Sequence, residues 1–124
     1  MNILAIFIGG GIGAVLRYLV GCIFSNYVKL NLPLATFVVN IVGCLILGFL
    51  YVFFMEKSQI PAALKFALTV GFCGGLTTFS TFSLEIFEIF SNSQFVQGII
   101  YIISSLVLGL FAVLLGAYLA KLVS

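Results

Sequence analysis

Gly71-Phe72-Cys73-Gly74-Gly75-Leu76-Thr77-Thr78-Phe79-Ser80-Thr81-Phe82-Ser83 is the stretch on which the reading of this chain turns. It sits inside an apolar run long enough to be one helix, yet its residues are poorly suited to stay helical. The adjacent glycines Gly74 and Gly75 each cost about 1 kcal/mol in a helix interior relative to alanine. Thr77, Thr78, Ser80, Thr81 and Ser83 follow, and their hydroxyls offer the backbone local partners that compete with the helical ladder. The stretch predicts a helix break between Gly74 and Thr78. Broken backbone at membrane depth survives only where protein or a water-filled cavity surrounds it. The break is therefore expected to face an interior and not lipid. Its two half-helix ends would present free N–H groups and free carbonyls, suited to an anion and a cation respectively.

Outward from that stretch, the chain divides into four apolar runs, at about 3–24, 33–55, 62–90 and 94–123. Each meets the roughly 20 residues that a membrane span requires at 1.5 Å per residue. Short polar segments separate them: Ser25, Asn26, Lys29 and Asn31 before Pro33; Glu56-Lys57-Ser58-Gln59 before Pro61; and Ser91-Asn92-Ser93-Gln94. No loop is long enough to fold by itself, so residues 1–124 read as a single transmembrane domain, all-α and integral to the membrane. Composition agrees. Of 124 residues 64% are hydrophobic and 6% charged, where a soluble domain carries about a quarter charged residues. Mean hydropathy is +1.39.

The same numbers exclude other classes. Five basic and three acidic residues cannot make the basic stripe that nucleic acid requires. No nucleophile–base pair, metal-ligand cluster or phosphate loop points to an enzyme. Cys22, Cys44 and Cys73 all lie within apolar runs and the chain has no histidine, so the thiols read as packing residues. The first run opens at Ile3 with no basic residue before it and is too long for a signal-peptide core, so it reads as a mature span. With the N-terminus inside, Lys57, Lys65 and Lys121 fall on the cytoplasmic side against Lys29 and Arg17, a bias slight enough to permit both orientations.

Polar residues within spans are functional candidates by default. Arg17 either snorkels to the headgroups or raises the local anion concentration at a vestibule mouth. Asn40 either ties helices together or donates to a passing anion. Phe79 and Phe82, three residues apart, share one helical face after the break. They are either packing filler or ring edges, which carry partial positive charge. Ser80 and Thr81 flank them. Glu85 extends their face, while Glu88 lies nearer the membrane end. Tyr101 and Ser105, four apart, form a polar stripe on the last helix. Gly9 with Gly13, Gly71 with Gly75, and Gly109 with Gly116 are spaced for close helix crossings.

Residues 71–83 closely resemble the signature of the Fluc/CrcB fluoride channels. Gly9-Gly10-Gly11-Ile12-Gly13-Ala14-Val15-Leu16-Arg17-Tyr18 is similar to that family's first-helix motif, and Thr36-Phe37-Val38-Val39-Asn40-Ile41-Val42-Gly43 to its second. The resemblance covers the whole chain. It implies an antiparallel, dual-topology dimer in the cell membrane, with fluoride leaving the cell through two pores at the dimer interface. It implies a structural, untransported sodium ion held by the backbone carbonyls of Gly74 and Thr77. Phe79 and Phe82 would be the pore phenylalanines, Asn40 the pore amide and Arg17 the vestibule arginine, with Glu85, Tyr101 and Ser105 in the polar track beside them. One departure is present: where that track often continues with hydroxyls, this chain has Gly109 and Val113. The pairing could join identical subunits or two homologous ones. Two other readings stand beside it. A four-helix proton-coupled drug antiporter would need a carboxylate in the first helix, where this chain has Arg17 and no acid. A purely structural membrane subunit would have no use for the broken helix.

Overall fold

The computed structural model describes residues 1–27 and 32–124. Lys29 and Asn31, which entered the charge and loop readings above, lie outside the described residues. The elements are α1 (Asn2–Tyr27), α2 (Leu34–Glu56), α3 (Ala62–Phe66), a π-helical stretch (Ala67–Cys73), α4 (Gly74–Leu76), α5 (Phe79–Ser91) and α6 (Phe95–Val123). From α3 to α4 the helix is continuous, and α5 completes the same span after a break. The described residues therefore form four membrane-length spans, Asn2–Asn26, Leu34–Glu56, Ala62–Ser91 and Phe95–Val123, and contain no strand. This is a multi-pass membrane protein. Its large apolar side chains point mostly outward, among them Ile3, Phe7, Leu110 and Leu114, as a lipid-facing surface demands.

Backbone, not bulk, holds the spans together. α1 lies against the first half of the third span through two interlocked glycine pairs. A methyl group at Gly9 would strike the Ala67 carbonyl, and one at Gly13 the Phe72 carbonyl. Reciprocally, a methyl at Gly71 would press on the Ile6 carbonyl, and one at Gly75 on the Gly10 carbonyl. α2 and α6 pack in the same way, Gly48 on the Val113 backbone and Gly116 on the Leu45 carbonyl. Lipid is as apolar as a leucine core, so close backbone approach supplies the attraction that burial supplies in water.

The break falls inside the expected window but not on the glycines. Gly74 keeps helical dihedrals, φ −65° and ψ −36°. The chain leaves the helix at Thr77 (φ −84°, ψ 159°) and Thr78 (φ −153°, ψ 124°). Gly75 makes a close contact with α1, which offsets its poor helix propensity. The π-helical stretch was not anticipated. Within it the Thr69 hydroxyl donates to the Lys65 carbonyl at 2.7 Å, and such back-bonding competes with the regular ladder.

The turn between α5 and α6 closes with Ser93 N–H on the Phe90 carbonyl (3.0 Å) and Gln94 N–H on the Ile89 carbonyl (3.1 Å). Ser93 has φ 59°, a position usually given to glycine. Ser93→Gly is expected to raise the thermal unfolding midpoint in detergent, by about 1 kcal/mol of relieved strain. Gly13→Ala is expected to lower it. Alanine gains about 1 kcal/mol of helix propensity, but the obstruction is the fixed backbone of Phe72 and Leu76, and overpacking of that kind costs about 1–3 kcal/mol. An unchanged midpoint for Gly13→Ala would contradict the packing described.

Candidate functional site

The break is held in place by one side chain. Asn40 on α2 faces Thr78 and satisfies both of its backbone groups: Thr78 N–H donates to Asn40 Oδ1 at 2.8 Å, and Asn40 Nδ2 donates to the Thr78 carbonyl at 3.1 Å. The amide thus stands in for a neighbouring peptide. Thr78 then caps α5, its hydroxyl accepting from Thr81 N–H at 3.2 Å. Thr77 turns its hydroxyl back onto the Cys73 carbonyl at 2.8 Å. A methyl at Gly43, on the same face of α2, would collide with Thr77 Cγ2, so this glycine lets α2 reach the break.

These bonds divert the donors that a continuous helix would have used. Thr78 N–H, the ladder donor for the Gly74 carbonyl, goes to Asn40. Thr81 N–H, the ladder donor for the Thr77 carbonyl, goes to the Thr78 hydroxyl. The carbonyl between them, Gly75, receives Arg17 Nε from α1 at 3.1 Å. A cation at the C-terminal end of a helix is favourably placed against its dipole. Arg17 therefore does not snorkel away from the bundle. It caps the first half of the third span and lines a cavity with Tyr18, Ser25, Thr36, Thr78 and Thr81.

On the other side of the break lies a cavity of about 340 Å³, whose walls include Asn40, Gly74, Thr77, Phe79, Phe82 and Ser105. Its groups are unevenly used. Asn40 has a second amide hydrogen beyond the one given to Thr78. The Ser105 hydroxyl is buried without a hydrogen-bond partner among the described residues. The two phenylalanine rings lie 6.1 Å apart but differ in exposure. Phe82 is 8% exposed and Phe79 is 79% exposed. Phe82 meets Tyr101 edge to face at 5.0 Å, within a small core that also contains Ile89, Phe37, Ile86 and Ile102.

Beside that core Glu85 accepts two hydroxyls, from Thr36 at 2.9 Å onto Oε2 and from Tyr101 at 3.0 Å onto Oε1. Thr36 was not singled out from sequence. The signal was present, since Thr36, Asn40 and Gly43 fall four and three residues apart on one face of α2.

Of the residues named from sequence, Asn40, Gly74, Thr77, Phe79, Phe82 and Ser105 thus line one cavity. Glu85 and Tyr101 adjoin it through Phe82, and Arg17 and Thr81 line a second cavity across the break. Ser80 is exposed, its hydroxyl 3.4 Å from that of Thr78, and it is in neither wall. Gly109 and Val113 bring no hydroxyl to the last helix where the polar track stops. Gly109 borders the cavity with Cys44 Sγ opposite it, and the Val113 backbone receives Gly48.

Asn40→Leu strands both backbone groups of Thr78, at about 1–3 kcal/mol for each. It is expected to lower the unfolding midpoint substantially. Ser105→Ala removes a hydroxyl that has no partner and is expected to leave the midpoint unchanged or raise it. Equal losses in the two variants would contradict the clamp.

Comparison with known proteins places relatives around this geometry. A family model described as "CrcB-like protein, Camphor Resistance (CrcB)" matches residues 4–117. A Flavobacterium psychrophilum protein named "Fluoride-specific ion channel FluC" is 42% identical over 120 residues, 97% of each chain. A Hydrogenobaculum protein of the same name is 40% identical over 122 residues, 98% of this chain and 99% of its own. "Fluoride-specific ion channel FluC 2" of Staphylococcus saprophyticus is 36% identical over 124 residues, the full length of both.

Proposed function

This chain belongs to the CrcB family, and from that premise we propose that it is a fluoride-selective channel, passive and not an enzyme, through which fluoride leaves the cell. The observation that carries the reading is the cavity wall of unspent donors beside the phenylalanine pair. Among the described residues the Ser105 hydroxyl has no partner, and Asn40 keeps a second amide hydrogen beyond the one given to Thr78. Ring edges of Phe79 and Phe82 add weak positive potential. A small, strongly hydrated anion needs several such contacts to replace its water, each weak enough to release it again. Glu85 belongs to the polar track beside the phenylalanine pair. It orients the Thr36 and Tyr101 hydroxyls, and Tyr101 in turn sets the plane of Phe82.

One chain is too small to enclose this path. Phe79 is mostly exposed, and the cavity opens at the surface on its side of the break. We propose that a second copy in antiparallel orientation covers that face. The exposed position of Gly74, where an added methyl would meet nothing within 4 Å, leaves room for it. A homologous subunit in place of an identical one satisfies the same geometry.

The break also fits a cation. The carbonyls of Gly74 and Thr77 have lost their ladder donors, lie at the negative end of a helix, and are oxygen donors of the kind that alkali ions take. Two copies would offer four such carbonyls to one structural sodium ion. When bound, that ion supplies positive charge that satisfies the freed carbonyls.

Fluoride efflux from liposomes containing only the purified chain tests this reading. Rapid fluoride release without chloride release is expected. Phe82→Ile is expected to slow it at least tenfold, about 1.4 kcal/mol of added barrier, with folding intact. Wild-type flux in Phe82→Ile would overturn the assignment of the pore wall. Replacing sodium by a bulky organic cation is expected to abolish flux and lower the unfolding midpoint. Unchanged values would remove the ion from the proposal.

A further inference from the structure

The cavity beside the break continues one turn past the donors described above, and that turn is furnished differently. α2 and α6 are the second and fourth of four consecutive spans, so they run in the same direction. Two contacts fix their register. Cys44 Sγ lies opposite Gly109, and Gly48 packs on the Val113 backbone. One turn earlier, the same register sets Asn40 level with Ser105. Asn40, Cys44, Ser105 and Gly109 all line the cavity. The first level of the wall therefore offers an amide and a hydroxyl, and the second offers a thiol and bare backbone.

Other hydroxyls near this second level are already committed. Thr69 and Thr77 line the same cavity, but they donate to the Lys65 and Cys73 carbonyls at 2.7 and 2.8 Å. Cys73 also borders the cavity, yet it is 1% exposed and withdrawn into the bundle. Cys44 is a free thiol and only partly buried. Space is available across from it. A methyl at Gly109 would meet Cys44 Sγ at 3.6 Å, an ordinary van der Waals distance, and nothing closer. The thiol thus occupies the place that a side chain from position 109 would otherwise reach. Ser105 supplies an independent sign of an outside acceptor. Its hydroxyl is buried on the same wall without a partner among the described residues, and a buried orphan of that kind calls for an acceptor.

We infer that Cys44 is a further pore-wall donor, whose S–H group receives fluoride from the level of Asn40 and Ser105 and passes it along α2. This assignment rests on the channel reading above. Sulfur donates weakly, which suits a contact that must let the ion go. A thiol serving only as a small packing residue would tolerate alanine better than serine. A donor has the opposite preference, and that reversal makes the two roles separable.

The test is fluoride efflux from liposomes holding the full chain, with folding checked by the thermal unfolding midpoint. Cys44→Ala is expected to slow efflux about fivefold, the effect of losing one weak donor, and Cys44→Ser to retain it. Adding Gly109→Ser to Cys44→Ala is expected to restore efflux, because a hydroxyl then enters the same level from α6. Mercuric chloride bonds a thiol sulfur and releases its proton with one chloride. It is expected to block the wild type and to leave Cys44→Ala/Gly109→Ser conducting. Equal efflux in wild type and Cys44→Ala would return Cys44 to packing and overturn the inference. So would a slow Cys44→Ala that Gly109→Ser fails to restore, or a mercury block that persists in the double variant, which places the metal on Cys22 or Cys73. Wild-type liposomes that release no fluoride would overturn the channel reading itself and this inference with it, a result distinct from each of the others.

Discussion

The structure depends on a peptide-like handshake between an asparagine and a threonine. A helix broken within a membrane exposes backbone groups that water cannot reach, and each one left unpaired is costly. Asn40 returns to Thr78 both the donor and the acceptor that the ladder no longer provides. The break therefore has one fixed position and one shape. Everything nearby follows from it: the capping of α5 by Thr78, the Arg17 bond to Gly75, and the Gly74 and Thr77 carbonyls left without their helical donors.

The glycines serve this arrangement at one remove. α1 approaches the third span closely enough for Arg17 to reach across only because Gly9, Gly13, Gly71 and Gly75 present bare backbone to one another. Gly43 does the same for α2, bringing Asn40 within hydrogen-bond range of the break. Tight crossings between α2 and α6 at Gly48 and Gly116 then fix the last helix, so that Ser105 and Tyr101 meet the cavity and the Phe82 ring. Packing and site are thus parts of one constraint, since loosening either glycine seam would move a polar group off its partner.

Much of this was legible in the sequence, for identifiable reasons. Four spans follow from hydropathy and length, and a break in the third follows from crowding glycines and hydroxyls together. The reason for the break was less legible. The glycines looked like its cause, yet Gly74 and Gly75 remain helical and the chain parts at Thr77 and Thr78. Propensity is a local quantity, whereas the decisive bond joins residues 38 positions apart. The Arg17 bond to Gly75 spans 58 positions and was invisible for the same reason. Asn40 and Glu85 could be recognised as candidates because polar groups are rare in spans. Tyr101 could be named for the same reason, and Thr36 was readable from its place on the Asn40 face of α2, but no spacing pairs Asn40 with Thr78.

The most direct measurement is an experimental structure of the purified protein in lipid, at a resolution that separates the carbonyls of residues 74–78. The account predicts extended backbone at Thr77 and Thr78, the Asn40 amide on both backbone groups of Thr78, and a second, oppositely oriented copy over Phe79. It predicts an ion between the Gly74 and Thr77 carbonyls of the two copies. An unbroken helix through Thr77 and Thr78, with Asn40 turned away from it, would contradict the account at its centre.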